Sequence, residues 1–156
     1  LTRHRRFFEE NIELNGFRAS DFAVYPFAIA PNRGRFELVD QSFGSFLKTS
    51  TPQDADDEVF VEAHQLSRLG EVISNSTADL VQIDIQGLEA AILAECFSAQ
   101  EPAMKIRAFL IGTHSQALHD QVSGLLVANG FEIVHDLFET PNQPDGILAA
   151  VQNSQP

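Results

Sequence analysis

Residues 79–89 have the sequence Asp-Leu-Val-Gln-Ile-Asp-Ile-Gln-Gly-Leu-Glu, and this stretch decides the fold class. Apolar and polar side chains alternate as far as Ile85, which is typical of a β-strand. Gly87 then allows a tight turn, and the Ala, Leu and Ile residues of 88–97 predict a helix. The stretch therefore predicts a strand that passes directly into a helix.

Strands and helices alternate on both sides of this stretch. The pattern predicts helices at 4–15, at 66–73 and from Ser115 to the Asn129-Gly130 stop, a loop at 41–57, and strands at 22–30, 35–39, 58–63, 79–85, 105–112, 131–135 and 147–152. Such alternation is typical of βαβ units, which form parallel sheets. Because no linker divides the chain, we expect one α/β domain over residues 1–156, with a mostly parallel sheet and helices on both faces.

The composition excludes several classes of protein. The chain has 156 residues, of which 44% are hydrophobic and 21% charged, so disordered and collagen-like chains are excluded. A net charge of −12 argues against nucleic-acid binding, which depends on Lys and Arg. The absence of an apolar run near the roughly 20 residues of a membrane span argues against a membrane partner. The lone Cys96 favours a reducing, cytoplasmic compartment and is expected to be a buried apolar residue.

Asp84 is a candidate functional residue because it falls near the carboxyl end of the 79–85 strand. Ligands of open α/β sheets bind at that edge, and the alternation places Asp84 on the same face as Gln82. A carboxylate at this position could instead cap the following helix or stabilise the turn. Glu89, in the first turn of that helix, could likewise serve only to match the helix dipole.

His114 is a second candidate, because Gly112-Thr113-His114-Ser115 follows another predicted strand and is expected to reach the same edge. Its imidazole could act as a general base, or His114 could be an exposed loop residue. His114, His119 and Asp120 together suggest a metal site. However, His114 precedes the helix that carries His119, so no common helical face is assured, and we expect no metal.

The chain resembles a known family in three places that occur in the same order. These are the helix end Asn11-Ile-Glu-Leu-Asn15-Gly16, the strand ending Phe27-Ala28-Ile29, and the 79–89 stretch with Asp84, Gly87 and Glu89. Over about residues 8–135 the chain resembles the FkbM-type methyltransferases. It departs from their pattern at Gln86, where Glu is commoner, at Leu88, where a small residue is usual, and at Gly112, where an acid often stands.

The resemblance implies an S-adenosylmethionine-dependent enzyme with a Rossmann-like class I methyltransferase fold and the strand order 3-2-1-4-5-7-6. It implies methylation of a hydroxyl on a sugar or small natural product, catalytic roles for Asp84 and His114, and donor contacts from Asp84, Gly87 and Ala28. The family's glycine-rich donor loop and ribose-binding acid precede its Asn-Gly helix. The resemblance therefore implies a carboxyl-terminal portion, incomplete at the N-terminus and inactive in isolation.

A second hypothesis belongs to a different class. The chain could be a non-catalytic, methyltransferase-like α/β module that binds a partner. Gly112 and the missing donor loop favour this alternative.

Overall fold

The computed structural model describes residues 2–41, 44–48, 60–85, 87–138 and 145–153. Its helices are α1 (Thr2–Leu14), α2 (Leu69–Ile73), α3 (Glu89–Ser98) and α4 (Gln116–Ala128), with 3-10 turns at Ala19–Asp21 and Leu66–Arg68. Its strands are β1 (Phe27–Ile29), β2 (Gly34–Gln41), β3 (Gly44–Lys48), β4 (Phe60–His64), β5 (Thr77–Ala78), β6 (Val81–Ile83), β7 (Lys105–Ile106), β8 (Ala108–Thr113), β9 (Phe131–Leu137) and β10 (Gly146–Gln152). None of the helices in this described part is long and apolar enough to cross a membrane.

Within the described residues, the strands form three sheets. One has the order β6-β8-β10-β9, in which β6 and β8 are parallel and β10 runs antiparallel to both β8 and β9. The second has the order β1-β4-β2-β3, in which the β1–β4 pair is parallel and the other pairs are antiparallel. The third is the short parallel pair of β5 and β7.

The expected mostly parallel, Rossmann-like sheet with helices on both faces is therefore wrong, and the chain is a mixed α/β protein with small mixed sheets. The connections explain the antiparallel pairs. Two residues join β2 to β3, and eight join β9 to β10, whereas a parallel crossover needs a dozen or more. The periodicity of a strand does not reveal its direction.

The predicted loop at 41–57 is also wrong in part, because β3 forms within it and pairs with β2. Residues 42–43 and 49–57 lie outside the described part of the chain. Of the predicted strand at 22–30, residues 27–29 form β1, directly after Pro26. Proline has no backbone N–H to donate to the hydrogen bonds between strands, so β1 does not extend back through Pro26.

The core lies against one face of the β6-β8-β10-β9 sheet. Buried residues of three strands and two helices form it: Ile83, Phe109, Ile111, Leu148 and Ala150 from the sheet, Ile92 and Leu93 from α3, and Val122 and Leu126 from α4. On the opposite face Gln82 is exposed and Leu110 is half-buried. Asp84 and Gly112 follow these two residues with the strand period of two, so they lie on the less covered face.

Cys96 lies on α3 inside this core, as the sequence predicts. Burial, with a smaller effect of the neighbouring Glu95 charge, raises the pKa of the Cys96 thiol from 9.0 to about 11. The folded protein therefore retains a proton that the unfolded chain releases at lower pH.

The unfolding free energy should depend on this proton. The stabilising contribution of neutral Cys96 is present below about pH 9 and is lost as the pH rises towards about 11. Urea unfolding at about pH 8 and about pH 10 should show a larger loss of stability for the wild type than for Cys96→Ala. Equal losses in the two proteins would show that the thiol titrates normally.

Candidate functional site

The parallel pairing of β6 with β8 brings Asp84 and His114 together. Ile83 is in register with Ile111, so the residues that follow these strands leave the sheet side by side. His114 Nε2 lies 3.4 Å from Asp84 Oδ1. The two candidates that the sequence places at one edge of the sheet are therefore in contact.

Gly112 makes room for this contact. A Cβ atom at residue 112 would lie 2.8 Å from Asp84 Oδ1, closer than real Cβ atoms come to such a neighbour. The departure from the FkbM-type pattern at this position thus has a local explanation, because a side chain here would displace the Asp84 carboxylate.

Glu89 is the buried member of the site. It is the first residue of α3, its side chain has 0% exposure, and its Oε1 lies 3.5 Å from His114 Nε2. The same oxygen accepts a hydrogen bond from the Ile85 backbone N–H at 3.3 Å. Glu89 Oε2 and His114 Nε2 are buried and have no hydrogen-bond partner within the described residues.

Asp145 completes a group that we call the His114 cluster, made of His114, Asp84, Glu89 and Asp145. Asp145 Oδ1 lies 3.4 Å from His114 Nδ1. The imidazole is therefore approached by a carboxylate at each ring nitrogen. Asp84, at 62% side-chain exposure, and Asp145 are open to solvent, whereas Glu89 closes the inner side.

This arrangement suits proton transfer. A histidine held in one orientation by carboxylates can take a proton from a ligand hydroxyl, and the carboxylates stabilise the imidazolium that forms. The open side of the cluster favours ligands that carry positive charge or N–H and O–H donors, because carboxylates can only accept hydrogen bonds when ionised.

The other predicted site residues have different positions. Gly87 has φ +84°, a conformation that favours glycine, and nothing lies within 4 Å of where its Cβ would be. Ala28 lies on β1 in the other four-stranded sheet, in register with Ala63, and is not part of the His114 cluster. Gln86 lies outside the described residues.

His114, His119 and Asp120 do not share a site. His119 contacts Thr113 and Asp136, and Asp120 accepts a hydrogen bond from Gln116. Across the described ranges, no group of three or more His, Cys, Asp or Glu side chains could hold a metal ion.

Local sequence patterns connect neither Asp145 nor Glu89 with His114. Asp145-Gly146 has the composition of a turn, and nothing in the local pattern connects it with a histidine 31 positions earlier. The pairing of β8 with β10, in which Thr113 is in register with Gly146, makes this connection.

Comparisons with protein-family models, with curated proteins and with solved structures found no match to this chain.

Gly112→Ala should separate Asp84 from His114 with little effect on stability. The new methyl group meets the end of an exposed side chain that can rotate away, and alanine is the better strand residue. We expect a change of less than about 1 kcal/mol in the unfolding free energy. In NMR spectra the His114 imidazole resonances should shift.

Gly124→Ala is the matched control, because nothing lies within 4 Å of where its Cβ would be. It should leave the His114 resonances unchanged. If Gly112→Ala also leaves them unchanged, Gly112 does not control the Asp84–His114 contact.

Proposed function

We propose that this chain belongs to an S-adenosylmethionine-dependent methyltransferase that methylates a hydroxyl on a sugar or small natural product. The observation that carries the proposal is the 3.4 Å contact between His114 and Asp84. The resemblance assigns catalytic roles to these two residues, which are 30 positions apart in the sequence. Their convergence at the ends of adjacent parallel strands supports a common site.

The residues present fit a cationic donor. Asp84 offers a solvent-open carboxylate, and the open space beside Gly87 leaves room for a ligand close to the backbone. When bound, S-adenosylmethionine would supply an electrophilic methyl group next to a positively charged sulfur. An exposed carboxylate stabilises such a charge through the Coulomb interaction.

His114 would act as the general base in this reaction. As the acceptor oxygen formed its bond to the methyl carbon, the bond between that carbon and the donor sulfur would break, the sulfur would leave as a neutral thioether, and the hydroxyl proton would pass to the imidazole. Asp84, Glu89 and Asp145 hold the ring in place and stabilise its charged form. Orientation of the hydroxyl against the ring would provide a large part of the rate acceleration.

We place the reaction in the reducing cytoplasm, where the lone, buried Cys96 would remain a thiol. The partners in this proposal are the donor and a small hydroxyl-bearing acceptor. The alternative of a non-catalytic binding module loses one of its two arguments, because Gly112 is explained by the space that Asp84 occupies.

Calorimetric titration with S-adenosylmethionine tests the donor half of the proposal. The titration is performed on this chain and on the chain extended by the residues encoded immediately before Leu1. The proposal predicts binding by the extended form, and it predicts that Asp84→Asn weakens this binding at least about tenfold, which corresponds to about 1.4 kcal/mol.

Asp79→Asn is the matched control, because Asp79 is an exposed carboxylate in the same segment that pairs with Arg107. It should leave donor affinity unchanged. Failure of the extended form to bind the donor, or equal affinities for Asp84→Asn and wild type, would contradict the proposal and favour a binding module.

A further inference from the structure

A second group of polar side chains lies next to the His114 cluster. Thr113 Oγ1 lies 2.8 Å from His119 Nδ1, and His119 Nε2 lies 2.9 Å from Asp136 Oδ1. Thr113 and His119 are buried, whereas the Asp136 side chain is 57% exposed. This chain of hydrogen bonds connects β8, α4 and β9.

For a neutral imidazole, the chemistry of the three groups determines which ring nitrogen carries the proton. An ionised carboxylate only accepts hydrogen bonds, so His119 Nε2 must carry the hydrogen that it donates to Asp136. In the neutral imidazole Nδ1 is then an acceptor, and the Thr113 hydroxyl donates to it. In this neutral form, both hydrogen bonds point from the buried hydroxyl towards the exposed carboxylate.

The order hydroxyl, imidazole and carboxylate is the one that hydrolases use to activate a nucleophile. Thr113 has no exposed surface, so a substrate cannot reach its oxygen. The group is therefore better suited to holding a neighbouring site in position than to attacking a ligand.

Two members of the His114 cluster are next in sequence to residues that contact the Thr113–His119 pair. His114 follows Thr113, and Asp145 precedes Gly146, which is in register with Thr113 across the β8–β10 pair. A Cβ at Gly146 would overlap Thr113 Oγ1, His119 Nδ1 and the Phe138 ring. The Thr113–His119 pair is thus packed directly against the point where the two strands meet.

We propose that His119 and Asp136 are positioning residues for the His114 cluster. They fix Thr113 against Gly146 and thereby set the spacing between His114 and Asp145, which contact each other at 3.4 Å. This inference goes beyond the proposed function, because it concerns the geometry of the cluster and holds whichever ligand the cluster binds.

Imidazole ¹⁵N NMR of the whole chain tests the proposal without a ligand. In the neutral form of wild-type His119, the proton should be on Nε2 and Nδ1 should be unprotonated. Thr113→Val removes the hydroxyl and keeps the shape of the side chain, and it should shift the resonances of both His119 and His114. Thr113→Ser keeps the hydroxyl and loses a methyl group, and it should retain the wild-type resonances.

Comparison of Thr113→Val with Thr113→Ser separates positioning from packing. If Thr113 served only to pack, Thr113→Ser would shift the resonances more than Thr113→Val, because it loses a methyl group. Asp136→Ala gives an independent readout at an exposed position, with Glu132→Ala on the same strand as its control. Asp136→Ala should shift the His119 and His114 resonances, and Glu132→Ala should shift neither. A neutral wild-type His119 that carries its proton on Nδ1, or unchanged His114 resonances in both Thr113→Val and Asp136→Ala, would overturn the proposal.

Discussion

A carboxylate without exposed surface is the constraint on which this site depends. Burying a carboxylate is costly unless it is paired and hydrogen-bonded. Glu89 has few partners: its Oε1 accepts one hydrogen bond, and its Oε2 accepts none from the described residues. Three groups can stabilise its charge: the dipole at the start of α3, the Ile85 backbone N–H and the His114 ring. Because His114 is one of these groups, the burial of Glu89 and the position of the imidazole are coupled.

The fold supplies this coupling through one parallel strand pair. β6 and β8 run side by side, and their carboxyl ends deliver Asp84 and His114 to the same edge of the sheet. β10 runs antiparallel to β8, so its first residues return to that edge and bring Asp145 with them. The site therefore requires one parallel and one antiparallel neighbour of β8, and a sheet of purely parallel strands would not place Asp145 there.

The sequence predicts those parts of this arrangement that depend on local patterns. Alternation along 79–85 places Asp84 on the face of Gln82 and opposite Ile83, and in the structure Ile83 is buried whereas Gln82 and Asp84 are exposed. The Ser115 side chain accepts the predicted capping bond from the Leu118 N–H. The directions of β9 and β10 depend on a short connection and on long-range pairing, which periodicity does not contain. For that reason, local patterns do not predict that Asp145 belongs to the site.

The most direct test of the central claim is a double-mutant cycle on Glu89→Gln and His114→Gln, measured by urea unfolding. If the imidazole stabilises the buried carboxylate, the coupling free energy between the two substitutions will be between about 0.5 and 3 kcal/mol. Each substitution will then lower the unfolding free energy less in the presence of the other than it does alone. Additivity within about 0.5 kcal/mol would contradict the account, because Glu89 would then be stabilised without His114.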